Sequence, residues 1–462
     1  MSSNDLYYNV KIHAELETTS PLLIGNGVSG SDNELQSCTD HEGNYYIPGA
    51  SIKGSLLNLS SNQVDDKAQR IDMSSLFGEE ISNESDGTKS HCAGKVRFLD
   101  ATSLNAQIGT SMHNSLNPVT RTTKDGHLYE RHYIKAGATF NVIMQMDFAT
   151  KDQLAPLLGL IDAWKAQNLG GHKNSNFGRF KIRSRSATGV IESDHLLWLT
   201  EDKPTQAQPI TVEPETIDVK QNSLRLEICL TPYSPVFTAG EVIEKTNKES
   251  KESEEDNPQV IRAKLNDNGT PILPSTSVRG SLRAQSAKIY HTITQTYGTE
   301  AIKESDECLT PIYGSEKQGS RLQISEFAAL GAKAFEQNFI GIDRFTGGVK
   351  AGANYNIERY DVVSYQGSIN ISSQALDEEG VSLALLLLTL RDLIEGQIRF
   401  GGYQAKGFGC VFATITFPDG KTIEDWDGFL KAWDTSKLTK IKSQQIESAL
   451  KTLVEGKEKN HG

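Results

Sequence analysis

An internal repeat constrains the fold of this chain more than any other feature of its sequence. The ten residues 47–56, IPGASIKGSL, return 226 positions later as LPSTSVRGSL at 273–282. Further pairs of matching segments follow in the same order, namely 76–78 with 312–314, 95–98 with 321–324, 120–130 with 343–358 and 169–178 with 400–409. Because ordered matches at nearly constant spacing rarely arise by chance, the sequence predicts two fused copies of one module.

Each copy shows the same order of secondary-structure signals. Residues Tyr8 to Thr18 and Asn222 to Leu230 alternate apolar and polar side chains, as strands with one buried face do. A helix is expected to begin at each Gly-Ser pair, at 54–55 and 280–281, a second helix before each double glycine, and a closing strand after it. This βαββαβ order predicts an α+β fold of two tandem ferredoxin-like, RRM-like modules with long insertions.

Domain boundaries follow from the repeat and from local composition. The first module is predicted at 1–204, the second at 222–420 and a helical tail at 421–462. Residues 205–221 carry Pro209 and Pro214 among polar residues, which favours an extended linker. The charged stretch from Glu244 to Asp256 adds length to the second copy and is typical of a surface loop.

Charge and composition limit the function classes. A net charge of −12 argues against indiscriminate nucleic-acid binding, so an RNA site must be a local basic track. The five cysteines lack a C-x-x-C pair, and the spacing of His91 and Cys92 does not require zinc. The longest apolar run, Leu383 to Leu390, is too short to span a bilayer, and the first residues lack a secretory signal. We therefore expect a cytoplasmic protein without membrane contact.

The double glycines are the first candidates for contact with RNA. Permissive backbone beside a basic residue lets main-chain N–H groups approach phosphates closely. The residues concerned are Gly170, Gly171 and Lys173 in the first copy, and Gly401, Gly402 and Lys406 in the second. In a single copy, a plain turn between helix and strand explains the glycines equally well. Their recurrence favours a binding function.

Basic residues flank these loops and the repeated Gly-Ser pairs. From Arg179 to Arg185 every second side chain is basic, which predicts a stripe on one strand face that follows a nucleic-acid backbone. Alternating basic residues also occur on ordinary solvent-facing strands. Lys53 and Arg279 are expected just ahead of helix starts, where unpaired N–H groups and the helix dipole favour an anion.

Together these segments resemble the repeat-associated mysterious protein (RAMP) superfamily, and within it the backbone subunits of type III CRISPR effector complexes. The stretch GIDRFTGG at 341–348, followed by Gly352 and Glu358, is similar to the family's thumb hairpin, whereas the first copy lacks the Ile-Asp-Arg form. The resemblance implies thumb hairpins that press between guide and target, with Arg121 and Arg344 in contact with RNA. The implied partners are guide CRISPR RNA, complementary target RNA, other RAMP backbone subunits and the large signalling subunit.

Two aspartates in the repeat register are the candidate catalytic residues. Asp32 and Asp256 lie 224 positions apart, each ahead of the Ile-Pro-Gly-type segment. By residue type alone, an aspartate in such a loop is a turn residue. The resemblance implies instead that both hold a divalent metal, Mg²⁺ or Mn²⁺, for cleavage of target RNA at two sites. Asn257-Pro258 follow Asp256 as in the family, whereas Asn33-Glu34 follow Asp32.

Two other functions stay open from the sequence. The chain is then either a non-catalytic guide-RNA-binding scaffold or a guide-processing endoribonuclease that uses histidine as acid or base. The histidines that would serve the second function are His113, His127, His132 and His172. They occur in the first copy alone, which disfavours a duplicated histidine site.

Overall fold

The computed structural model of the protein describes residues 6–29, 35–62, 76–82, 89–116, 123–191, 199–200, 207–219, 223–244, 259–296, 298–315, 317–378 and 380–458. The chain divides into two compact units, Met1–Gln221 and Asn222–Gly462. Each unit contains a ferredoxin-like sheet, which confirms the predicted α+β class with two tandem modules.

The first unit contains these strands: β1 (Leu6–Thr18), β2 (Gly25–Ser29), β3 (Leu35–Ser37), β4 (Tyr46–Ile47), β5 (Gly78–Ser82), β6 (Lys89–Ala93), β7 (Val96–Phe98), β8 (Ala101–Thr102), β9 (Ile108–Leu116), β10 (Thr123–Ile134), β11 (Thr139–Met146), β12 (Ala149–Thr150), β13 (Phe180–Ile191) and β14 (Gln208–Pro209). Its helices are α1 (Gly49–Asn62) and α2 (Lys151–Ala163), with 3-10 turns at Trp164–Ala166 and Lys173–Ser175.

The main sheet of the first unit runs in the order β14-β13-β1-β11-β7 and is antiparallel. Alternation along β1 turns Val10, Ile12 and Leu16 to one side. There they form one core with apolar residues of both helices, including Leu56 and Leu157. Each fully buried side chain of this size contributes about 1.5–3 kcal/mol. The helices therefore cover one face of the sheet, and the opposite face carries the polar half of the pattern.

The second unit contains these strands: β15 (Ser223–Pro232), β16 (Ala239–Glu244), β17 (Gln259–Ala263), β18 (Ile272–Leu273), β19 (Leu322–Ile324), β20 (Phe327–Leu330), β21 (Lys333–Ile342), β22 (Val349–Asp361), β23 (Ser364–Ser372), β24 (Val411–Thr416) and β25 (Thr422–Ile423). Its helices are α3 (Ser275–Thr294), α4 (Thr299–Tyr313), α5 (Ser373–Glu378), α6 (Gly380–Ile394), α7 (Trp426–Thr435) and α8 (Ser443–Glu458), with a 3-10 turn at Gln404–Lys406.

The main sheet of the second unit repeats the strand order of the first, β18-β20-β23-β15-β24-β25, with β19 also paired to β23. Leu226, Ile228 and Leu230 of β15 face a core shared with α3, α4 and α6. Leu383 to Ile394, predicted as the second helix of this copy, lie within α6 and are largely buried. The sheet and its helices thus follow the predicted βαββαβ order.

Each unit also carries a second, four-stranded sheet built from its insertions. The strand orders are β2-β3-β10-β9 and β16-β17-β22-β21. In both sheets the long hairpin, β9–β10 or β21–β22, joins the shorter one through a parallel pairing, β3 with β10 or β17 with β22. These long hairpins are the insertions that the resemblance implied.

The structure also fixes which hairpin residues correspond between the modules. Backbone bridges join Leu22 to Ile134 and Val236 to Tyr360, so equivalent hairpin positions lie 226 residues apart. The sequence match of Glu130 with Glu358 is therefore wrong by two residues, and Glu358 corresponds to His132. The strand bridges set the register, and the shared glutamate is a coincidence of residue type.

The predicted helix starts at the Gly-Ser pairs are also wrong. Helices α1 and α3 begin at Gly49 and Ser275, directly after Pro48 and Pro274. A proline suits this place because its φ is fixed and the first turn of a helix needs no amide from it. Lys53 and Arg279 accordingly lie inside their helices, where backbone amides bond to the preceding turn.

The segments outside the two predicted modules pack on the nearer unit. Within the range predicted as a linker, β14 pairs with β13, and Ile210 and Val212 pack against the first core. In the tail, Phe429 of α7 and Ile446 of α8 are buried in the second core. In the part of the chain that the structure describes, no helix is long and apolar enough to cross a membrane.

Candidate nucleic-acid interface

Each module closes with a glycine loop, residues 169–179 in the first and 400–410 in the second. Gly170 and Gly401 have φ values of +72° and +80°. A Cβ atom on either would lie 2.2 Å from a main-chain oxygen, that of Leu23 or Phe237. Glycine satisfies both the positive φ and the close approach, and a larger residue satisfies neither. These two glycines shape the loop.

The second glycine of each pair uses its amide inside the module. Gly171 donates to the oxygen of Leu23 at 2.8 Å, and Gly402 donates to that of Phe237 at 2.7 Å. A phosphate contact through these two amides, expected from the sequence, would have to replace a good internal hydrogen bond. Internal hydrogen bonding therefore disfavours phosphate contact through the amides of Gly171 and Gly402.

In the second module the loop joins an aromatic cluster part-way along the long hairpin. Phe339 and Tyr355 face each other across β21 and β22, with ring centroids 5.2 Å apart. Tyr403 of the loop stacks on both rings, with centroids 5.5 Å and 6.0 Å away. The exposed Lys406 places its Nζ 4.0 Å from the Phe339 centroid and donates to the Tyr355 hydroxyl. The cation and the rings tie the loop to the hairpin.

The first module has histidines in place of two of these rings. His113 lies opposite Tyr129 on β9 and β10, just as Phe339 lies opposite Tyr355. His172 has the left-handed conformation of Tyr403, and its ring centroid lies 6.1 Å from that of Phe177. Burial, with a smaller effect of Arg131, lowers the pKa of His172 to about 4. His172 is therefore neutral near pH 7.

The tip of the second hairpin is an ordered turn held by Asp343. Its Oδ1 accepts hydrogen bonds from the amides of Phe345 and Thr346, both at 2.9 Å. These bonds lower the pKa of Asp343. The turn holds Arg344 in solvent, with Phe345 98% and Ile342 69% exposed. An apolar wedge beside a cation is thus presented at the tip.

Several predicted RNA contacts lie elsewhere. Arg121, between β9 and β10, falls outside the described residues. Lys53 is half-buried in α1, and Lys173 is exposed in the first glycine loop. Among the described residues, no hydrogen bond or ion pair joins Lys53 to the first glycine loop.

Arg279 is committed to the interior of its module. Its Nη1 donates to Ser320 Oγ at 2.5 Å and its Nη2 to the oxygen of Leu322 at 2.9 Å. Burial lowers the pKa of this guanidinium to about 10. These contacts fasten α3 to the segment that follows α4, which is a structural role.

The predicted basic stripe does not form, because a β-bulge interrupts it. Arg183 is an extra residue opposite the step from Glu15 to Leu16 in β1. The bulge turns Arg185 to the helical side, where its Nε lies 2.5 Å from Asp162 Oδ1 of α2. On the other side of the sheet, Lys181 lies 3.3 Å from Glu17, which also pairs with Arg183. Carboxylates of the sheet neutralise Lys181 and Arg183, a carboxylate of α2 neutralises Arg185, and Arg179 lies at the sheet edge in the glycine loop.

Both candidate catalytic residues, Asp32 and Asp256, lie outside the described residues. In the sequence, residues 30–34 join β2 to β3 and residues 245–258 join β16 to β17. These strands occupy equivalent places in the two hairpin sheets. Within the described ranges, no three His, Cys, Asp or Glu side chains are grouped to hold a metal ion.

A comparison with models of protein families identifies the family of this chain. The model for the RAMP superfamily matches residues 15–181 and 230–411, well over half of the chain. The chain belongs to the RAMP superfamily. Each matched region lies within one structural unit, so the protein contains two RAMP modules.

Other comparisons are more distant. Among solved structures, a chain of the type III-B Cmr-beta bound to cognate target RNA, determined by cryo-electron microscopy, is 16% identical, with a TM-score of 0.30. The match covers 39% of this chain and 61% of that chain. No curated protein sequence matches the RAMP protein described here.

Sequence reasoning missed the aromatic cluster of the second RAMP module. Phe339, Tyr355 and Tyr403 are far apart in sequence, and their meeting depends on the hairpin register. The turn at 343–348 did not reveal this meeting, because the strand pairing is irregular between Ile340 and Ile342: Ile342 lies opposite Val349, whereas Phe339 lies opposite Tyr355.

Proposed function

We propose that this protein is a two-module backbone subunit of a guide-RNA-directed type III CRISPR effector complex. Membership in the RAMP superfamily across both modules carries the proposal. Such a subunit would bind guide RNA, meet complementary target RNA and assemble with other RAMP subunits and the large signalling subunit.

The second hairpin is the part best suited to contact a guide–target duplex. Phe345 and Ile342 offer exposed apolar surface for stacking against bases, and Arg344 offers a cation to the adjacent phosphate. In the first module, Lys173 in the glycine loop is exposed and placed to meet a phosphate. Lys406 and Arg279 would act indirectly, by holding the loop and the helix that present the RNA surface.

We assign cleavage of target RNA to the segments that carry Asp32 and Asp256. Their flanking strands belong to the same sheets as the long hairpins, so equivalent segments would act beside each hairpin. Each of the two carboxylates would hold its own divalent cation, Mg²⁺ or Mn²⁺. Such a cation would stabilise the charge that develops when the RNA's own 2′-hydroxyl attacks the adjacent phosphate.

The test uses the assembled complex with a defined guide, matched labelled target RNA and magnesium. Cut positions are mapped for wild type, Asp32→Ala and Asp256→Ala, with Asp152→Ala as a control for loss of an exposed carboxylate, on the first turn of α2. Loss of one distinct cut in each aspartate variant supports two active sites. Unchanged cutting with guide retained makes the subunit a non-catalytic scaffold.

The guide-processing alternative fits the geometry poorly. The register of β9 and β10 places His113 and His132 on opposite faces of the hairpin. His172 is neutral near pH 7 because its pKa is about 4, which leaves it a weak general base. Uncut precursor RNA with the chain alone, at pH 6 to 8, is the expected result.

A further inference from the structure

A second pair of exposed rings lies on the open face of the main sheet in the second module. The rings of Tyr233 and Phe412 are stacked, with centroids 4.7 Å apart and planes at 29°. Both residues stay largely in solvent, 57% and 51% exposed. Large aromatic side chains usually bury most of their surface, so a stacked pair left in water is informative.

The first module has different residue types at the positions equivalent to Tyr233 and Phe412. The amide of Thr19 bonds to the oxygen of Arg179, and the amide of Tyr233 bonds in the same way to the oxygen of Cys410. These matched backbone contacts place Tyr233 where the first module has Thr19, and Cys410 where it has Arg179.

The strand pairing extends the comparison to the second ring. Lys181 faces Glu17 across β13 and β1, while Phe412 faces Thr231 across β24 and β15. In the first module these two positions hold an ion pair, with Lys181 Nζ 3.3 Å from the Glu17 carboxylate. In the second module the same positions hold the Phe412 ring and the Thr231 hydroxyl. Two neighbouring positions that are polar in the first module are thus aromatic in the second.

The two rings are held in place by their surroundings. A Cβ atom on Gly396 would lie 2.8 Å from the Phe412 ring, so glycine leaves the space that this ring fills. The backbone amide of Tyr233 donates to the oxygen of Cys410 at 3.1 Å, which anchors the residue that carries the other ring. Rings already ordered in the free protein lose little entropy when a ligand stacks on them.

The polar groups around the rings fit a nucleotide. The exposed Arg399 donates to the oxygen of Gln404 at 3.0 Å and interacts electrostatically with Tyr233. A cleft of about 280 Å³ opens beside Tyr233 and is lined by Ser234, Tyr360, Asp361 and Tyr365, among others. The Arg399 guanidinium can bind a phosphate. The Asp361 carboxylate already pairs with Arg359 through Oδ1, and its exposed side chain can also accept a hydrogen bond from the amino group of a base.

We propose that Tyr233 and Phe412 form a stacking site for one unpaired base of bound RNA. The inference rests on the proposed function in one respect, that the chain binds RNA. A base is favoured over a protein side chain because flat rings, a neighbouring cation and hydrogen-bond acceptors lie together. Stacking is tolerant of base identity, so the site contributes affinity and register with little sequence preference.

The test is photocrosslinking in the assembled complex. Guide and target RNAs carry 5-iodouridine at one position at a time, and crosslinked peptides are identified by mass spectrometry. A crosslink to Tyr233 or Phe412 from a restricted set of positions is expected. Tyr233→Ala and Phe412→Ala should weaken RNA binding by about 5- to 100-fold, whereas Tyr233→Phe should retain it.

The matched control is Phe148→Ala in the first module, which removes a ring that is 57% exposed and should leave RNA binding unchanged. Melting of each variant separates loss of binding from loss of folding. If wild-type complex binds RNA but no position crosslinks to either ring, the stacking site is refuted and the proposed function stands. Loss of a neighbouring subunit from the Phe412→Ala complex, with RNA affinity retained, also refutes it. Failure of wild type to bind RNA refutes both.

Discussion

Alanine at Gly401 should destabilise the second module, whereas alanine at Gly402 should not. At Gly401 the φ of +80° costs an alanine about 1–2 kcal/mol. The new Cβ atom would also lie 2.2 Å from the oxygen of Phe237, closer than atoms pack, so the backbone must shift. That shift breaks the hydrogen bond from Gly402 to Phe237, worth about 0.5–1.5 kcal/mol. The sum is about 1.5–3.5 kcal/mol.

At Gly402 the nearest atom to a new Cβ is 3.8 Å away, an ordinary contact. The expected change is within about 0.5 kcal/mol, as for other surface substitutions. The assay is calorimetric melting of the full chain, in which Gly401→Ala should lower one transition by roughly 5–15 °C. Gly170→Ala and Gly171→Ala repeat the comparison in the first module, where the same distances of 2.2 Å and 3.8 Å apply.

Equal melting of the Gly401 and Gly402 variants would refute this reasoning. Such a result means that the loop relaxes without cost and that the first glycine is not required by the fold. Equal loss of RNA binding in two normally folded variants would instead favour the sequence-based view that both glycines contact phosphate.

Four further predictions follow from the same contacts. Asp343→Ala should speed amide hydrogen exchange at the hairpin tip and leave the melting temperature of the module unchanged. Because the pKa of Asp343 is lowered in the folded protein, acid should also speed this exchange in wild type as the pH falls below about 4. An unchanged exchange rate would contradict the capping role of Asp343. Arg279→Met should cost about 2–4 kcal/mol of stability by removing the hydrogen bonds of a largely buried guanidinium to Ser320 Oγ and to the oxygen of Leu322, yet RNA affinity measured below the melting range should be retained. Lys406→Met should leave the dependence of RNA affinity on salt unchanged, since its ammonium lies over aromatic rings; a slope reduced by about 0.7 would make it a phosphate contact. His172→Tyr should remove a loss of stability of about 1–2 kcal/mol that wild type shows as the pH falls from about 6.5 to about 4, because the unfolded histidine takes up a proton that the folded one refuses; identical pH profiles of melting would contradict this.

The repeat was enough to predict the fold because it is a property of the whole chain. Residues Tyr8 to Thr18 form β1 as their alternating pattern indicates, and both second helices lie where their apolar spacing places them. Such patterns reflect burial on one face, which each element records in its own sequence.

Features that depend on the pairing of distant strands were not predictable in the same way. The stripe from Arg179 to Arg185 failed because one bulged residue, Arg183, reverses the facing of every side chain after it. Arg279 looked like a ligand contact because the sequence does not show that Ser320 and Leu322 lie within reach of its guanidinium. Single residues of this kind acquire their role from partners far along the chain.

The separation of the two hydrophobic cores has a consequence for how such a protein can change. One core is drawn entirely from the first unit and the other entirely from the second. Splitting the gene between the two units would remove no residue from either core. Each module would therefore keep its hydrophobic core, and with it its main source of stability, as a separate polypeptide. A fused gene supplies the two modules one to one in every molecule made, while each copy keeps its own residue types, as the stacked Tyr233 and Phe412 of the second module show.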